Sequence, residues 1–507
     1  MLSAMERDSA RRLSSAALYP LTIFAVMVGL LGTWAIATPL FASPDEPAHL
    51  FKAYGTAHGE AIGVEVEGKP RTIRQFDVPL EMSTPTSPQL TCYFGKPDVS
   101  AACGQSAGGP PISTAAVLPP FWYAVVGGGA RLLGADTSQR AYRMVNAALC
   151  ASMFAAAFAV ARRSRERRLS PLMLLAMTPV ALMMSGTVHP NGFEIAAFMF
   201  AWALVLRADS PRAPTAFGGL LLGSLFAATL LSRFAAGMWV ACLVVLAAIV
   251  LGRNDLKRFL NRWFLTALIG TTAVAVALLV AWSRYAGVTV ENDLSRGTWG
   301  RWKTMTYTFG ALPEVTLQLV GRLGWLDTRL PTMAYVLFFV FVAMQVVGVV
   351  LSRDRRLIAA TALAFAGLAL VPVLVNTISA TTAGPIWQGR YAIPLVAGLG
   401  IMGMIGWRQY GARLDSRKSD HTISVVRIVA CSCFALTEIL GFWQALRRFS
   451  VGASGKIWLT GAVDWRPSVA PMLLIAANIA LTVGLCAVIL FATRGREASD
   501  ESVAAGG

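Results

Sequence analysis

Charge is what this chain has least of. Of its 507 residues only 14% are Asp, Glu, Lys or Arg, whereas soluble domains carry about 25%. With 55% hydrophobic residues, this excludes a soluble globular protein. Acidic residues are the scarcer sign, 27 against 44 basic, for a net charge of +17. Such an excess can mark nucleic-acid binding. Here, however, Lys and Arg gather in short clusters between apolar runs of about 20 residues, the distribution of a positive-inside membrane protein. Nucleic acid is excluded as a partner, and the lipid bilayer takes its place. The sequence also lacks an internal repeat at helix-pair spacing, and its only low-complexity tract is a short Ala/Gly tail.

Cysteine is sparse and divided. Cys150, Cys242, Cys431, Cys433 and Cys486 lie in apolar runs and read as inert small hydrophobes. Cys92 and Cys103 share a long polar stretch with no histidine beside them, which argues against zinc. A disulfide is open to this pair if the stretch faces an oxidising compartment; two free thiols are the alternative.

The apolar runs predict an all-α polytopic membrane protein, a single transmembrane domain over 1–507. Arg7, Arg11 and Arg12 precede a run at 17–41 that is too long for a signal-peptide core, so it reads as a first helix and anchor. Further spans are expected near 141–161, 170–187, 191–207, 215–232, 235–251, 263–286, 333–351, 357–378, 392–408, 423–444 and 469–492. That makes about twelve, with both termini cytoplasmic. The run at 116–133 is not counted. Counting it would put Arg162, Arg163, Arg165, Arg167 and Arg168 outside, so it reads as an interfacial or re-entrant helix of the first outer loop, 42–140. Basic links at Arg207/Arg212, Arg253–Arg262, Arg353–Arg356 and Arg408–Lys418, with Arg494 and Arg496, mark the cytoplasmic face. A second large outer loop is expected at 287–332. The unusual polar residues sit in the outer links, so chemistry is expected there.

Three stretches carry it. The first is Ser43-Pro44-Asp45-Glu46-Pro47-Ala48-His49, where Pro47 can begin a helix carrying Lys52. One carboxylate can cap that helix; two exceed what a cap needs, and either Asp45 or Glu46 can serve as a general base. The second is Gly321–Pro331, with Arg322, Trp325 and Asp327, open to interfacial anchoring or substrate contact. The third is Pro385–Tyr391, where Arg390, between Gln388 and Tyr391, is suited to grip a phosphate through its planar fork. Lesser candidates are Arg143 with Asn146, the turn His189-Pro190-Asn191-Gly192-Phe193-Glu194, Arg233 and the intramembrane Glu438.

These motifs, Pro-Asp-Glu-Pro-Ala-His at 44–49, Pro-Pro-Phe-Trp-Tyr at 119–123, Gly-Trp-Leu-Asp-Thr at 324–328, Gln-Gly-Arg-Tyr at 388–391 and Trp465-Arg466-Pro467, occur in an order that resembles an uncharacterised bacterial family of multi-pass membrane proteins, a domain of unknown function. That family is itself similar to the GT-C glycosyltransferases. The resemblance implies sugar transfer from a polyprenyl-phosphate donor to a glycan, lipid or protein acceptor on the outer face of a bacterial plasma membrane. It implies an acidic base in the first outer loop, at Asp45 with Glu46 as substitute. The expected substrate contacts are His49, Lys52, Arg143, Arg322, Trp325, Asp327, Gln388, Arg390 and Tyr391. No cofactor is expected beyond the lipid-linked donor. His189-Pro190-Asn191-Gly192 stands where a metal-using relative would carry an acid, so no metal is expected. The competing class is a transporter or flippase of lipid-linked sugars, disfavoured because the sequence shows neither inverted repeats nor broken helices.

Overall fold

The computed structural model describes residues 2–82, 92–104, 110–206, 215–259, 261–288 and 299–492. Arg207, Arg212, Arg494 and Arg496 lie outside the described residues, as do 83–91 and 105–109 of the first outer loop and 289–298 of the second. The described residues are mostly helical, with two small antiparallel β elements. Val64–Glu65, Arg74–Gln75 and Ile112–Ser113 form a three-stranded ribbon; Arg322–Leu323 pairs with Thr328–Arg329 as a hairpin.

All twelve apolar runs are helical, but they differ in kind. Among the described residues nine helices are long and apolar enough to cross a membrane, from Ala17–Ala37 to Pro471–Phe491. The run at 170–187 is broken: a 3-10 helix Arg167–Ala176 and an α-helix Pro179–Gly186 meet at 78°. Thr178 caps the second piece on the Ala181 N–H, and Pro179 occupies its first turn. The expectation of no broken helix is thereby corrected. Pro190–Val205 and Ala216–Leu230 have 16 and 15 residues, so at 1.5 Å per residue each is short for a bilayer core of about 30 Å. Pro190–Val205 is buried almost throughout, which makes it an internal helix rather than a lipid-facing one. By contrast, Arg262–Tyr285 is apolar on every side yet only 11% buried, as a helix solvated by lipid should be.

Two loop expectations are also refined. Residues Phe121–Leu132 form a 12-residue helix, about 18 Å long, that does not span the bilayer and packs on Glu46–Ala57. Within the stretch expected as the second outer loop, 287–332, residues Arg301–Gly321 form a helix that their mixed composition and Pro313 concealed.

The 36-residue helix Ser416–Val451 is about 54 Å long, so its ends mark opposite faces. At its start Asp420 pairs with Arg168, and Glu166 nearby pairs with Arg408 (both 2.6 Å), gathering the basic links on one side. At its far end the buried Arg448 donates to the carbonyls of Val99 (2.6 Å), Tyr93 (2.7 Å) and Lys96 (3.2 Å) and to Asp327 Oδ2 (3.0 Å). Cys92 and Cys103 form a disulfide, closing the loop that supplies those carbonyls. Removing a crosslink over a separation of 11 residues should cost about 2–3 kcal/mol. The variant Cys92→Ser/Cys103→Ser should therefore melt several degrees lower in detergent and ignore reductant, while the wild type should fall to the same temperature when reduced.

Candidate functional site

The first outer loop is fastened, residue by residue, to the turn between the broken span and Pro190–Val205. Ser43 Oγ contacts Thr187 Oγ1 (3.0 Å), Glu46 Oε1 accepts from the Val188 N–H (3.0 Å), and Asp45 Oδ2 faces His189 Nε2 (3.9 Å). Glu46 anchors this seam. Its carboxylate takes a bidentate pair from Arg143, Nε to Oε1 and Nη2 to Oε2, both 2.7 Å, with both side chains wholly buried. The remaining Arg143 donors go to the carbonyls of Ala35 (2.7 Å), Thr38 (2.6 Å) and Pro39 (2.8 Å). All five guanidinium N–H groups are spent, so Arg143 has none left for a phosphate. Glu46, sealed in the same pair, is unavailable to an acceptor hydroxyl. Both residues are structural, contrary to their places in the expected site.

Asp45 is different. It opens the helix Glu46–Ala57 with φ 60°, the left-handed region, and its side chain makes no cap hydrogen bond. The cap expectation fails: the backbone is held in a sparsely populated conformation that turns the carboxylate away from its helix. Oδ2 accepts from Arg390 Nη2 (2.8 Å); Oδ1 has no partner, and the side chain keeps 42% of its accessibility. Burial alone would raise this carboxyl, but the His189 ring and the Arg390 guanidinium outweigh it and hold the group well below the usual carboxylate range.

Two histidines stand behind Asp45. His189 Nδ1 accepts from the Asn191 N–H (3.0 Å), so the neutral ring carries its proton on Nε2, toward Asp45. Burial pushes His189 down to about 4 against the pull of Asp45. His49 packs edge-on against His189, ring centres 4.5 Å apart, and its Nδ1 shares a hydrogen bond with Tyr123 Oη (2.8 Å). Burial, then His189, push His49 well below its ordinary value, so both rings are neutral at pH 7. Lys52, one turn further along the helix, is wholly buried, donates to the carbonyls of Ala61 (3.1 Å) and Ala116, and lies 5.1 and 5.4 Å from the rings of Tyr123 and Trp282. Burial pushes it down to about 7.

Arg390 is delivered by the turn Gln388-Gly389-Arg390, seated on the second-loop helix Arg301–Gly321. The Gly389 N–H donates to Gln318 Oε1 (2.8 Å), and a Cβ on Gly389 would lie 2.1 Å from the Val315 carbonyl, so only glycine fits. Arg390 is 1% exposed, and its Nε and Nη1 have no hydrogen-bond partner, nor does Gln388 Oε1. The Tyr391 ring lies 5.3 Å from Arg390 Cζ and 4.9 Å from Arg233 Cζ; Arg233 in turn pairs with Glu194 (2.6 Å).

The structure thus assembles Asp45, His49, Arg390 and Tyr391, and adds Tyr123, His189, Glu194 and Arg233. His189, Glu194 and Arg233 were visible as ionisable groups at outer helix ends; Tyr123 gave only an interfacial-aromatic signal. Arg322, Trp325 and Asp327 are elsewhere engaged, with Glu314, with the ring of Phe94 (5.0 Å) and with Arg448. They lie in and around the hairpin Arg322–Leu323/Thr328–Arg329, which Asp327 joins to Arg448. Among the described residues no group of three or more His, Cys, Asp or Glu side chains is arranged to hold a metal ion.

Fold and site together define a multi-pass helical membrane protein with a carboxylate–guanidinium centre at one end of its bundle. The chain belongs to the family described as "Predicted membrane protein (DUF2142)", whose model matches residues 28–399, a span that contains every residue of this centre. No curated protein matches it. Among solved structures it is similar to ArnT from Cupriavidus metallidurans bound to undecaprenyl phosphate, at 13% identity and TM-score 0.46, covering 96% of this chain and 79% of that one. It is also similar to the archaeal oligosaccharyltransferase AglB from Archaeoglobus fulgidus in complex with an inhibitory peptide and a dolichol-phosphate, at 13% identity and TM-score 0.34, covering 86% and 56%.

The two adjacent acids should separate cleanly on mutation. Glu46→Gln leaves Arg143 buried without a counter-charge and should destabilise by about 3–5 kcal/mol. Asp45→Asn also takes the counter-charge from buried Arg390, but at a half-exposed position with an acceptor retained it should cost about 1–3 kcal/mol, less than Glu46→Gln. Thermal melts of the two detergent-purified variants check this.

Proposed function

We propose that this protein is a membrane glycosyltransferase that moves a sugar from a polyprenyl-phosphate donor to a glycan, lipid or protein acceptor on the extracytoplasmic face of a bacterial plasma membrane. The observation that carries this reading is Arg390: a guanidinium 1% exposed, giving one N–H to Asp45 and leaving Nε and Nη1 without acceptors. Buried donors are normally satisfied, so two orphaned guanidinium nitrogens with three N–H groups call for an anionic oxygen acceptor, such as a phosphate. An accessible carboxylate oxygen, Asp45 Oδ1, lies beside that acceptor position.

The chemistry follows from this juxtaposition. The acceptor O–H approaches Asp45 Oδ1 and its oxygen attacks the anomeric carbon. The new C–O bond forms as the bond from that carbon to the phosphate oxygen breaks. The bonding pair leaves with the lipid phosphate, and the acceptor proton ends on Asp45. Attack opposite the leaving group inverts the anomeric centre. Positive charge for the departing phosphate comes from Arg390, with Arg233 on the other side of Tyr391, in a site whose low dielectric strengthens it. Once phosphate takes up Arg390, less positive charge opposes proton transfer to Asp45, so donor binding raises the basicity of the carboxylate. Arg390 holds Oδ2, with the His189 Nε2 proton facing it at 3.9 Å, and Oδ1 is left to the acceptor. The spans supply a lipid-solvated surface along which the polyprenyl tail can lie. The transporter alternative gains only the broken span, and that break is closed by buried Met177 and Thr178 rather than lined by ion-binding groups.

With polyprenyl-phosphate sugars supplied to purified protein, Asp45→Asn should lower turnover by about 10²–10⁴-fold, and Arg390→Gln should weaken polyprenyl-phosphate binding. Unchanged turnover in Asp45→Asn removes Asp45 as the base. A carboxyl held below its usual range stays ionised as pH falls, and His189 titrates near 4. Wild-type kcat/KM should therefore stay flat from pH 6.5 down to about 5; an acidic limb in that window would point to a different base.

A further inference from the structure

Away from this site, three helices bring a carboxylate together with neutral oxygens inside the membrane. Glu438, on Ser416–Val451, is wholly buried. Its Oε1 accepts from Trp34 Nε1 (2.7 Å) on the first helix and from Asn478 Nδ2 (3.3 Å) on Pro471–Phe491. Asn478 Nδ2 also donates to Thr33 Oγ1 (3.2 Å). Thr482 lies one turn beyond Asn478 on the same buried face. Three oxygens here have no partner: Glu438 Oε2, Asn478 Oδ1 and Thr482 Oγ1. Thr229 and Thr361 within their helices donate back to a carbonyl one turn earlier, whereas Thr482, like Thr56 and Thr377, does not. Its hydroxyl has forgone that bond. No Lys, Arg or His pairs with Glu438 among the described residues.

We propose that this junction of the first helix with Ser416–Val451 and Pro471–Phe491 binds a sodium ion, through Glu438 Oε2, Asn478 Oδ1 and Thr482 Oγ1. A water molecule would satisfy orphaned oxygens but leave a carboxylate uncompensated in hydrocarbon. A proton on Oε2 would cancel the charge and could donate to only one of the two remaining oxygens. A small hard cation does both, because it neutralises the charge and draws in neutral oxygen ligands together. The ion would tie the helix that leads into the Asp45 loop to the last two spans, independently of what reaction that loop performs.

The test is thermal unfolding of the full-length detergent-purified protein in NaCl, KCl and choline chloride at equal ionic strength. Na⁺ should raise the melting temperature saturably by several degrees over choline, since a ligand bound only by the folded state stabilises it. Glu438→Gln keeps an acceptor for Trp34 and should stay folded while losing the Na⁺ response. Thr482→Val should raise the half-saturating Na⁺ concentration, and binding of radiolabelled Na⁺ to the same samples provides a readout independent of folding. Equal melting temperatures in all three salts, absence of labelled Na⁺ binding, or a Na⁺ response that survives in Glu438→Gln would overturn the proposal. So would a melting temperature that follows pH but not Na⁺, which would assign Oε2 to a proton.

Discussion

The buried pair between Glu46 and Arg143 is the interaction on which the half of this protein around Asp45 depends. It joins the first outer loop to the helix Gln139–Ala161. Through the carbonyls of Ala35, Thr38 and Pro39 it also fixes where the first helix ends. Its second use is the Val188 N–H, which brings the broken span against the same loop. A bidentate pair with every remaining donor satisfied is the geometry in which a buried ion pair repays its desolvation. Breaking it would release three segments at once.

What this pair achieves is the exposure of its neighbour. Asp45 cannot both follow the chain into the helix Glu46–Ala57 and direct its carboxylate at Arg390 unless the backbone takes the left-handed turn that the anchored Glu46 imposes. Adjacent acids therefore have opposite fates: one sealed as a rivet, the other held open. The cationic side of the site is built by the same logic. Gly389 lets the turn sit against the helix Arg301–Gly321, and that contact carries Arg390 across to meet a residue 345 positions earlier in the chain.

A second assembly, the disulfide-closed loop with Arg448, Asp327 and the hairpin 322–329, fastens the end of Ser416–Val451 to the first outer loop. Tyr93 lies at the junction of the two assemblies, because its phenol senses Arg448 and Asp327 as well as Glu46 and Arg143. Burial raises that phenol to about 12, with Arg448 pulling the other way, so it stays neutral. Arg322, Trp325 and Asp327, expected from the sequence to contact substrate, are parts of this fastening.

The sequence by itself determined the helical membrane architecture and singled out Pro44–His49 and Gln388–Tyr391. Hydrophobic run length and the placement of arginines are one-dimensional signals, and the bilayer converts them directly into structure. It also indicated that 116–133 does not span, since one misplaced crossing inverts every later charge cluster. Tertiary structure alone decided which carboxylate is free, because Asp45 and Glu46 are indistinguishable until their partners arrive from residues 143, 188 and 390. It alone separated Arg390, with orphaned donors, from Arg143 and Arg322, whose donors are paired. It alone showed the break at Met177–Thr178 and the helix Arg301–Gly321, where packing against other helices, rather than local hydrophobicity, sets the backbone. Pairing of ionised groups depends on which segments meet, and no local pattern in Pro-Asp-Glu-Pro records that Arg143 would claim the second acid and Arg390 the first.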